Sequence, residues 1–317
     1  PPDSAGLTGP LVVYSGRREA LIQPLVDQFT ELHPEIEVAL KSGDNVELAN
    51  ALLEEAGRPQ ADVFLATEVL TVERLFQEGA LEPYSSAFAG VIPAAYRQPE
   101  AGWTPLTLRA RVIMYNTDQV TTGEAPTSIL DLTDPPWEGR VAAAGSTNGS
   151  LQAQVAVMRQ LLGDAATEAW LRGLLDNGVT FFGGHTDVRK AVGAGEFAVG
   201  LVNHYYYHLQ AEEGSPVAVI YPDQGPGQMG VIVNATAIGL IRGSAHPATA
   251  QAWIDFLLSD GQQLFAELNF EYPIDPAVPL HPDVLPLDEF RVAQFDLAQA
   301  VAEMDGTFDL IDRVGLP

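Results

Sequence analysis

Residues 11–29 read LVVYSGRREALIQPLVDQF. This stretch opens with an apolar run typical of a buried strand, continues through a Ser-Gly turn, and then has apolar residues at helical spacing. Those residues are Leu21, Ile22, Leu25, Val26 and Phe29. The same order of strand and helix returns at 36–55 and at 62–77. Three successive βα units predict a parallel sheet with helices on both faces.

A second series of strands and helices follows a strand predicted at 107–115. Its predicted strands lie at 140–144, 181–182, 198–202 and 217–221, and its predicted helices at 150–162, 165–175 and 187–194. The chain then runs through 234–241 into a strongly helical segment. One long helix is predicted over 248–268, because Trp253, Phe256 and Leu257 share one helical face. The sequence therefore predicts a second α/β lobe.

The length of 317 residues exceeds the size of a single-core domain and favours two domains. Loops rich in Pro and Gly, such as 222–230, are suited to crossings between lobes. Because the chain is expected to cross more than once, both lobes are discontinuous. The N-terminal lobe is predicted to comprise 9–108 and 234–275. The C-terminal lobe is predicted to comprise 109–233 and 276–317, which includes closing helices.

Charge and composition exclude several classes of partner and site. The formal net charge of −26 argues against nucleic acid or an anionic membrane as a partner. The chain has no cysteine, which excludes disulfides, thiol catalysis and thiolate metal sites. An acidic surface has two explanations: it suits a cationic ligand, or it merely keeps the protein in solution.

The most unusual segment is NHYYYH at 203–208, directly after the strand predicted at 198–202. Open α/β sheets bind ligands at the carboxyl ends of their strands. The three tyrosines are either packing residues or a source of phenolate oxygen, which suits Fe(III). Neighbouring tyrosines converge on one ion only at the start of a helix. His204 and His208, four residues apart, are either a divalent-metal pair or histidines with local partners.

Two further groups of residues suggest an anion site. Residues 147–150 precede a predicted helix, where backbone N–H groups bind an anion or Asn148 acts as a simple N-cap. Arginines lie near predicted strand ends, at positions 17, 18, 109 and 111. Alternation along the strand places Arg109 and Arg111 on the same face, which is either an anion-binding face or a solvated edge.

No catalytic motif stands out in the sequence. There is no G-x-S-x-G elbow, H-E-x-x-H helix, P-loop or G-x-G-x-x-G turn, and no pair of carboxylates is singled out by its spacing. We therefore expect a binding protein and not an enzyme. A hydrolase or transferase built on two α/β lobes is the alternative from another class.

Taken together, the sequence resembles the bacterial periplasmic ferric-ion-binding proteins, which are solute receptors of iron(III) ABC importers. The resemblance spans nearly the whole chain and follows six strings in the order of that family. They are VYSGR at 13–17, ADVF at 61–64, LRARV at 108–112 with YN at 115–116, TNGS at 147–150, GLVNHYY at 200–206 and EYP at 271–273. The tyrosine pair is the most specific of them.

The resemblance implies an α/β fold with two discontinuous lobes, the type II periplasmic-binding-protein or Venus flytrap fold, with iron captured between the lobes. It implies that Tyr205 and Tyr206 bind Fe(III), and that carbonate or phosphate completes the coordination as a synergistic anion. The residues implied to line or neutralise that anion are Asn148, Gly149, Ser150, Asn203, Arg109, Arg17 and Arg18.

The sequence departs from the family pattern at three positions. Arg18 stands where some relatives have a histidine ligand, and Thr67 stands where some have a glutamate ligand. The neighbouring Glu68 is a candidate to replace that glutamate as a metal ligand. His185 stands where some members direct an asparagine at the anion, and it is therefore an additional candidate for the anion site.

The resemblance also implies a partner and a location. The partner is the permease of an ABC importer, and the receptor is expected to be a monomer in the periplasm or another extracytoplasmic location, with or without a lipid anchor. The alternative is a receptor for a small organic solute on the same fold. An organic anion, a polyamine or thiamine would then stack on the tyrosines.

Overall fold

The computed structural model describes residue 7 and residues 9–317. The strands are β1 (Gly9–Ser15), β2 (Ile36–Ser42), β3 (Val63–Ala66), β4 (Leu81–Glu82), β5 (Thr104–Asn116), β6 (Val141–Ala144), β7 (Thr180–Phe182), β8 (Val199–Asn203), β9 (Val217–Ile220), β10 (Val233–Ile241) and β11 (Tyr272–Pro273).

The α-helices are α1 (Glu19–Leu32), α2 (Asn45–Glu54), α3 (Val69–Gln77), α4 (Gly149–Leu162), α5 (Asp164–Asp176), α6 (His185–Gly193), α7 (His204–Glu212), α8 (Pro247–Leu258), α9 (Asp260–Asn269), α10 (Leu297–Ala302) and α11 (Met304–Val314). Short 3₁₀ turns occupy Ala89–Val91, Ala94–Tyr96, Ile129–Thr133, Pro135–Trp137 and Leu287–Glu289.

The chain divides into two compact units, each formed by two separate stretches of sequence. Unit 1 contains the chain up to Leu108 together with Ala235–His281, and unit 2 contains Arg109–Asn234 together with Pro282–Pro317. The chain passes from one unit to the other within β5, within β10 and after His281. The predicted α/β class with two discontinuous lobes is confirmed. The sequence predicts the last passage between lobes after residue 275, whereas the structure has it after His281.

Unit 1 is built around the three predicted βα units. β1 lies between β2 and β3 and is parallel to both, while β10 runs antiparallel to β3. The short β4 pairs with β10, and β11 pairs with β5. Because β1, β2 and β3 run in one direction, the loops after them leave the same edge of the sheet.

Unit 2 has a mixed sheet. Its part of β5 runs antiparallel to both β8 and β9, whereas β6 runs parallel to β7 and β8. α7 begins at His204, the residue immediately after β8. The carboxyl end of a central strand therefore opens directly into the helix that carries the three tyrosines.

The predicted single helix over 248–268 is wrong, because α8 ends at Leu258 and α9 begins at Asp260. Ser259 separates the two helices with φ −115° and ψ −101°, which is outside the helical region. Its hydroxyl donates to the carbonyl oxygen of Asp255 at 2.8 Å. A serine that bonds to backbone in this way competes with the helical hydrogen-bond pattern.

Aromatic residues connect α1 to α8 in the core of unit 1. The Phe29 ring lies edge-on to Trp253, with 4.9 Å between ring centroids, and lies 5.4 Å from the ring of Phe256. Unit 2 has a separate core that includes Trp137, Trp170 and the apolar side of α4. None of the helices in residues 7 and 9–317 combines the length and apolar character that crossing a bilayer demands.

Truncation of Phe29 tests how far unit 1 depends on this aromatic contact. Phe29 is fully buried, so Phe29→Ala leaves a cavity between α1 and α8. We expect the free energy of unfolding of unit 1 to fall by about 3–5 kcal/mol, measured by urea titration. Leu268→Ala on the exposed side of α9 is the matched control and should change it by less than about 0.5 kcal/mol. Equal effects would contradict the assignment of this core.

Candidate functional site

Tyr205 and Tyr206 lie side by side in the first turn of α7. Their ring centroids are 4.3 Å apart, with 32° between the ring planes, and their exposed fractions are 3% and 7%. The sequence required a helix start for neighbouring tyrosines to converge, and α7 provides one. Tyr206 also lies against the imidazole of His185, with 5.2 Å between centroids.

Tyr207 is in a different environment. It is half-buried and its ring lies 4.8 Å from that of His208. Burial raises the pKa of Tyr207, and the neighbouring Asp283 and Tyr115 raise the same pKa further. Its surroundings therefore favour the neutral phenol over the phenolate. This environment argues against Tyr207 as a metal ligand.

The guanidinium of Arg111 lies at the centre of a polar cluster in unit 2. Its Nε donates to Gln154 Oε1 at 2.9 Å, and its Nη1 donates to Asn203 Oδ1 at 3.1 Å. The same Nη1 is 2.9 Å from Nε2 of His185. Two predicted anion-site residues, Asn203 and His185, therefore meet at one arginine that comes from β5.

Electrostatics connects this cluster to the tyrosine pair. Burial and the charge of neighbouring Arg109 lower the pKa of Arg111 to about 9, while Tyr205 and Tyr206 act in the opposite direction. Arg111 is therefore protonated at neutral pH, and its charge acts on both phenol groups.

Arg109 has a different arrangement of partners. It is 2% exposed, and its Nε and Nη2 are buried without a hydrogen-bond partner among the residues that the structure describes. These two nitrogens belong to the guanidinium fork that binds two oxygens of one carboxylate or phosphate. Because an unpaired buried donor is costly, this edge is suited to an anionic ligand.

The start of α4 adjoins the same cluster. Asn148 is the N-cap residue, and its Oδ1 accepts from the backbone N–H groups of Ser150 at 3.1 Å and Leu151 at 3.3 Å. Ser150 Oγ accepts from Asn203 Nδ2 at 3.3 Å. Of the two alternatives for Asn148, its side chain is observed as the N-cap. Gly149 is buried in the same turn. An anion-binding role for this helix start stays a prediction.

The other predicted site residues belong to unit 1, where Arg17 forms a buried ion pair. Its Nη1 donates to Glu271 Oε2 at 3.2 Å and its Nη2 is paired with Glu271 Oε1. Thr107 Oγ1 also donates to Glu271. The carboxylate of Glu271 already balances the charge of Arg17. Arg17 is therefore less suited to bind an anion than Arg109 is.

Glu68 and Arg18 occupy helix starts in unit 1. Glu68 is buried and caps α3, with its Oε2 accepting from the backbone N–H of Thr71 at 3.0 Å. Arg18 is exposed and precedes α1. The metal-binding role of Glu68 and the anion-binding role of Arg18 both stay predictions.

His204 has a structural environment. It is fully buried, and its Nδ1 accepts from the backbone N–H of Ala110 at 3.2 Å. The rings of His204 and His208 are 6.2 Å apart at their centroids. Within residues 7 and 9–317, no three histidine, aspartate or glutamate side chains come together in a way that could hold a metal ion.

Two residues of importance were missed by the sequence reasoning, and a third, Arg111, was named only as one of two possibilities. Arg111 was placed with Arg109 on a face that is either anion-binding or a solvated edge. Gln154 is a fully buried polar residue inside α4, and that position within an apolar helix was the available signal. Glu271 was noted only as part of a family string, and the sequence carried no signal that pairs it with Arg17.

Comparison with known proteins identifies the family. The family model described as "Bacterial extracellular solute-binding protein" matches residues 58–300. This chain belongs to that family. The type II periplasmic-binding fold predicted from the sequence is confirmed. The family is one of solute receptors, which is not a class of enzymes.

Several relatives are similar over nearly their whole length. The "Fe(3+)-binding periplasmic protein" of Serratia marcescens is 31% identical, with 91% of this chain and 86% of the relative covered. "Iron uptake protein A1" of Synechocystis is 32% identical, with 91% and 82% covered. The crystal structure of iron-bound HitA from Pseudomonas aeruginosa matches with a TM-score of 0.89 and 28% identity, covering 96% of this chain and 99% of HitA.

The Arg17–Glu271 pair makes a stability prediction that concerns unit 1 alone. Glu271→Ala leaves the buried Arg17 guanidinium without its counter-charge. We expect the free energy of unfolding to fall by about 3–5 kcal/mol in urea titrations. Glu78→Ala breaks the exposed Arg74–Glu78 pair as a control and should cost less than about 1 kcal/mol. A small effect of Glu271→Ala would mean that Arg17 does not depend on this carboxylate.

Proposed function

We propose that this protein is a periplasmic receptor that binds ferric iron through the phenolates of Tyr205 and Tyr206, together with an anion, for an ABC importer. The observation that carries the proposal is the closely packed, buried tyrosine pair, which interacts with the buried Arg111. Neither Arg111 nor the neighbouring Arg109 has a carboxylate partner among the described residues. Iron is the cargo of such a receptor and not a resident cofactor.

The donor chemistry of the tyrosine pair suits a trivalent ion. Phenolate is a hard anionic oxygen donor, and such donors favour hard, highly charged cations. The phenol group has an ordinary pKa near 10, so a cation must supply the energy that keeps it deprotonated at neutral pH. A ferric ion does this better than a divalent ion, because its charge is larger.

The surrounding charges make an anion part of the proposed site. A ferric ion and two phenolates leave one positive charge, and the guanidinium groups of Arg109 and Arg111 add two more. Several positive charges in a buried region need a counter-charge. The open edge of Arg109 and the N-terminus of α4 are the groups that would hold a carbonate or phosphate.

The family and its relatives fit this proposal. The Serratia and Synechocystis relatives are named for iron, and HitA was crystallised with iron bound. Solute-binding proteins of this family work with ABC permeases, which makes the permease the expected partner. The small-organic-solute alternative is not favoured by these relatives.

Visible absorbance tests the tyrosine assignment. Adding chelated Fe(III) to the iron-free protein, with bicarbonate or phosphate present, should produce a phenolate-to-iron charge-transfer band that saturates near one iron per protein. Tyr205→Phe and Tyr206→Phe each remove one donor and should greatly weaken or abolish the band. Tyr207→Phe, on the same helix, should retain it.

Two results would contradict the proposal. If the unaltered protein shows no band with either anion, Tyr205 and Tyr206 are not iron ligands. If only Tyr207→Phe loses the band, the ligand has been assigned to the wrong tyrosine. Thermal melts of all three variants establish that each protein is folded.

Replacement of Arg109 should change the stability of the protein and its anion binding in opposite directions. Arg109→Leu removes two unpaired buried donors, so the anion-free protein should become more stable by on the order of 1 kcal/mol. The same change should raise the phosphate or bicarbonate concentration needed for half-maximal iron absorbance by about tenfold or more.

Arg17→Leu is the control, because it removes a buried arginine that is already paired. It strands Glu271 and should lower the stability. If Arg109→Leu also destabilises the protein and leaves the anion requirement unchanged, Arg109 has a structural role only.

A further inference from the structure

The three groups that hold Arg111 are all electrically neutral acceptors. They are the amide of Gln154, the amide of Asn203 and the imidazole of His185. Because a guanidinium is a donor at every nitrogen, His185 must accept through Nε2 and carry its proton on Nδ1. Arg111 is thus fixed in orientation, but its charge is not cancelled by these partners.

Three other arginines with largely buried side chains are held differently. Arg17 is paired with Glu271, and Arg159 is paired with Asp164. Arg189 bonds to the amide of Gln210 at 2.7 Å, but it is also paired with Glu213. Each of these three arginines has a carboxylate partner. Neutral acceptors alone at Arg111 are therefore a particular property of this cluster.

Gln154 is the best-defined of the three acceptors. It is fully buried on α4, and its Nε2 lies 3.7 Å from the sulfur of Met158, so the amide oxygen is directed to Arg111 Nε at 2.9 Å. Asn203 also donates a hydrogen bond to Ser150, and the ring of His185 also packs against Tyr206. The two hydrogen bonds of the Gln154 amide therefore lead to Arg111 and Met158, and not to the tyrosine pair.

We propose that Gln154 is a positioning residue, whose neutral amide fixes Arg111 without cancelling its charge, so that the charge acts on the Tyr205–Tyr206 pair and on the anion beside it. The inference rests on the proposed iron-receptor function and deepens it. It assigns to a buried glutamine the task of keeping a cation available where a carboxylate would have neutralised it.

The substitution Gln154→Glu is the direct test, because it keeps the shape and adds a carboxylate at the Arg111 Nε. Iron titrations are followed by absorbance at increasing inorganic phosphate and, separately, bicarbonate. We expect the half-maximal anion concentration to rise by about tenfold, because the attraction of a buried guanidinium for the anion is now shared with the introduced carboxylate.

The position of the absorbance band is a second readout that a merely structural role would not change. A positive charge near a phenolate stabilises the electrons that are promoted to iron. Neutralising Arg111 raises those electrons in energy, so the charge-transfer band should move to longer wavelength. At saturating anion, one iron per protein should still be bound.

Gln210→Glu is the matched control. It makes the same exchange beside the buried Arg189 and on the helix that carries the tyrosines. Its band and anion dependence should equal those of the unaltered protein. If Gln154→Glu behaves like Gln210→Glu, the inference is overturned, whereas absence of the band in the unaltered protein overturns the proposed function itself.

Gln154→Leu keeps the test decisive if the glutamate variant does not fold. Leucine removes the acceptor and leaves Arg111 held only by Asn203 and His185. We expect the half-maximal anion concentration to rise about threefold, since one hydrogen bond that orients the charge is lost. An anion dependence equal to that of the unaltered protein would refute a positioning role for Gln154.

Discussion

A buried guanidinium needs either a counter-charge or a full set of acceptors, and this requirement organises both units of the protein. In unit 1, Glu271 meets the requirement for Arg17 with a carboxylate. In unit 2, neutral side chains hold Arg111, and Arg109 keeps two buried donors unpaired among the residues described. The charge of Arg17 is therefore neutralised by its partner, whereas the side-chain acceptors of Arg111 leave its charge uncancelled.

The paired arginine of unit 1 also ties strands together. Thr107 on β5 donates to Glu271 and contacts Thr236 on β10, with 2.6 Å between their hydroxyl oxygens. β5 and β10 are the two strands that pass from one unit to the other. The ion pair bonds to the Thr107 side chain of β5 and reaches β10 through that residue, and it stabilises the part of unit 1 from which the chain leaves it. Its contribution is therefore to the fold, where full neutralisation is an advantage.

The sequence predicted the fold well wherever local pattern determines it. Strand and helix alternation from Leu11 to Gln77 was read correctly, because apolar spacing reports directly on the faces of strands and helices. The break at Ser259 was missed, since it depends on one hydroxyl bonding to the backbone within an apolar pattern. The tyrosines were singled out because three in a row after a buried strand is unusual, but the pattern left packing and metal binding open. Only the family resemblance assigned Tyr205 and Tyr206 to iron. The partners of Arg111 were not predicted, because contacts between residues far apart in the chain produce no local sequence pattern.

His185 obeys the same constraint. Its neutral imidazole offers the Nε2 lone pair to Arg111, and the asparagine that the family resemblance implies for some members would offer a neutral carbonyl oxygen in the same role. Both satisfy a guanidinium donor without adding charge. An aspartate would make a stronger bond to Arg111, but it would consume the charge that an anion needs. The proposed anion-binding role therefore favours acceptors at this position that are polar and uncharged, because they orient Arg111 without neutralising it as a carboxylate neutralises Arg17.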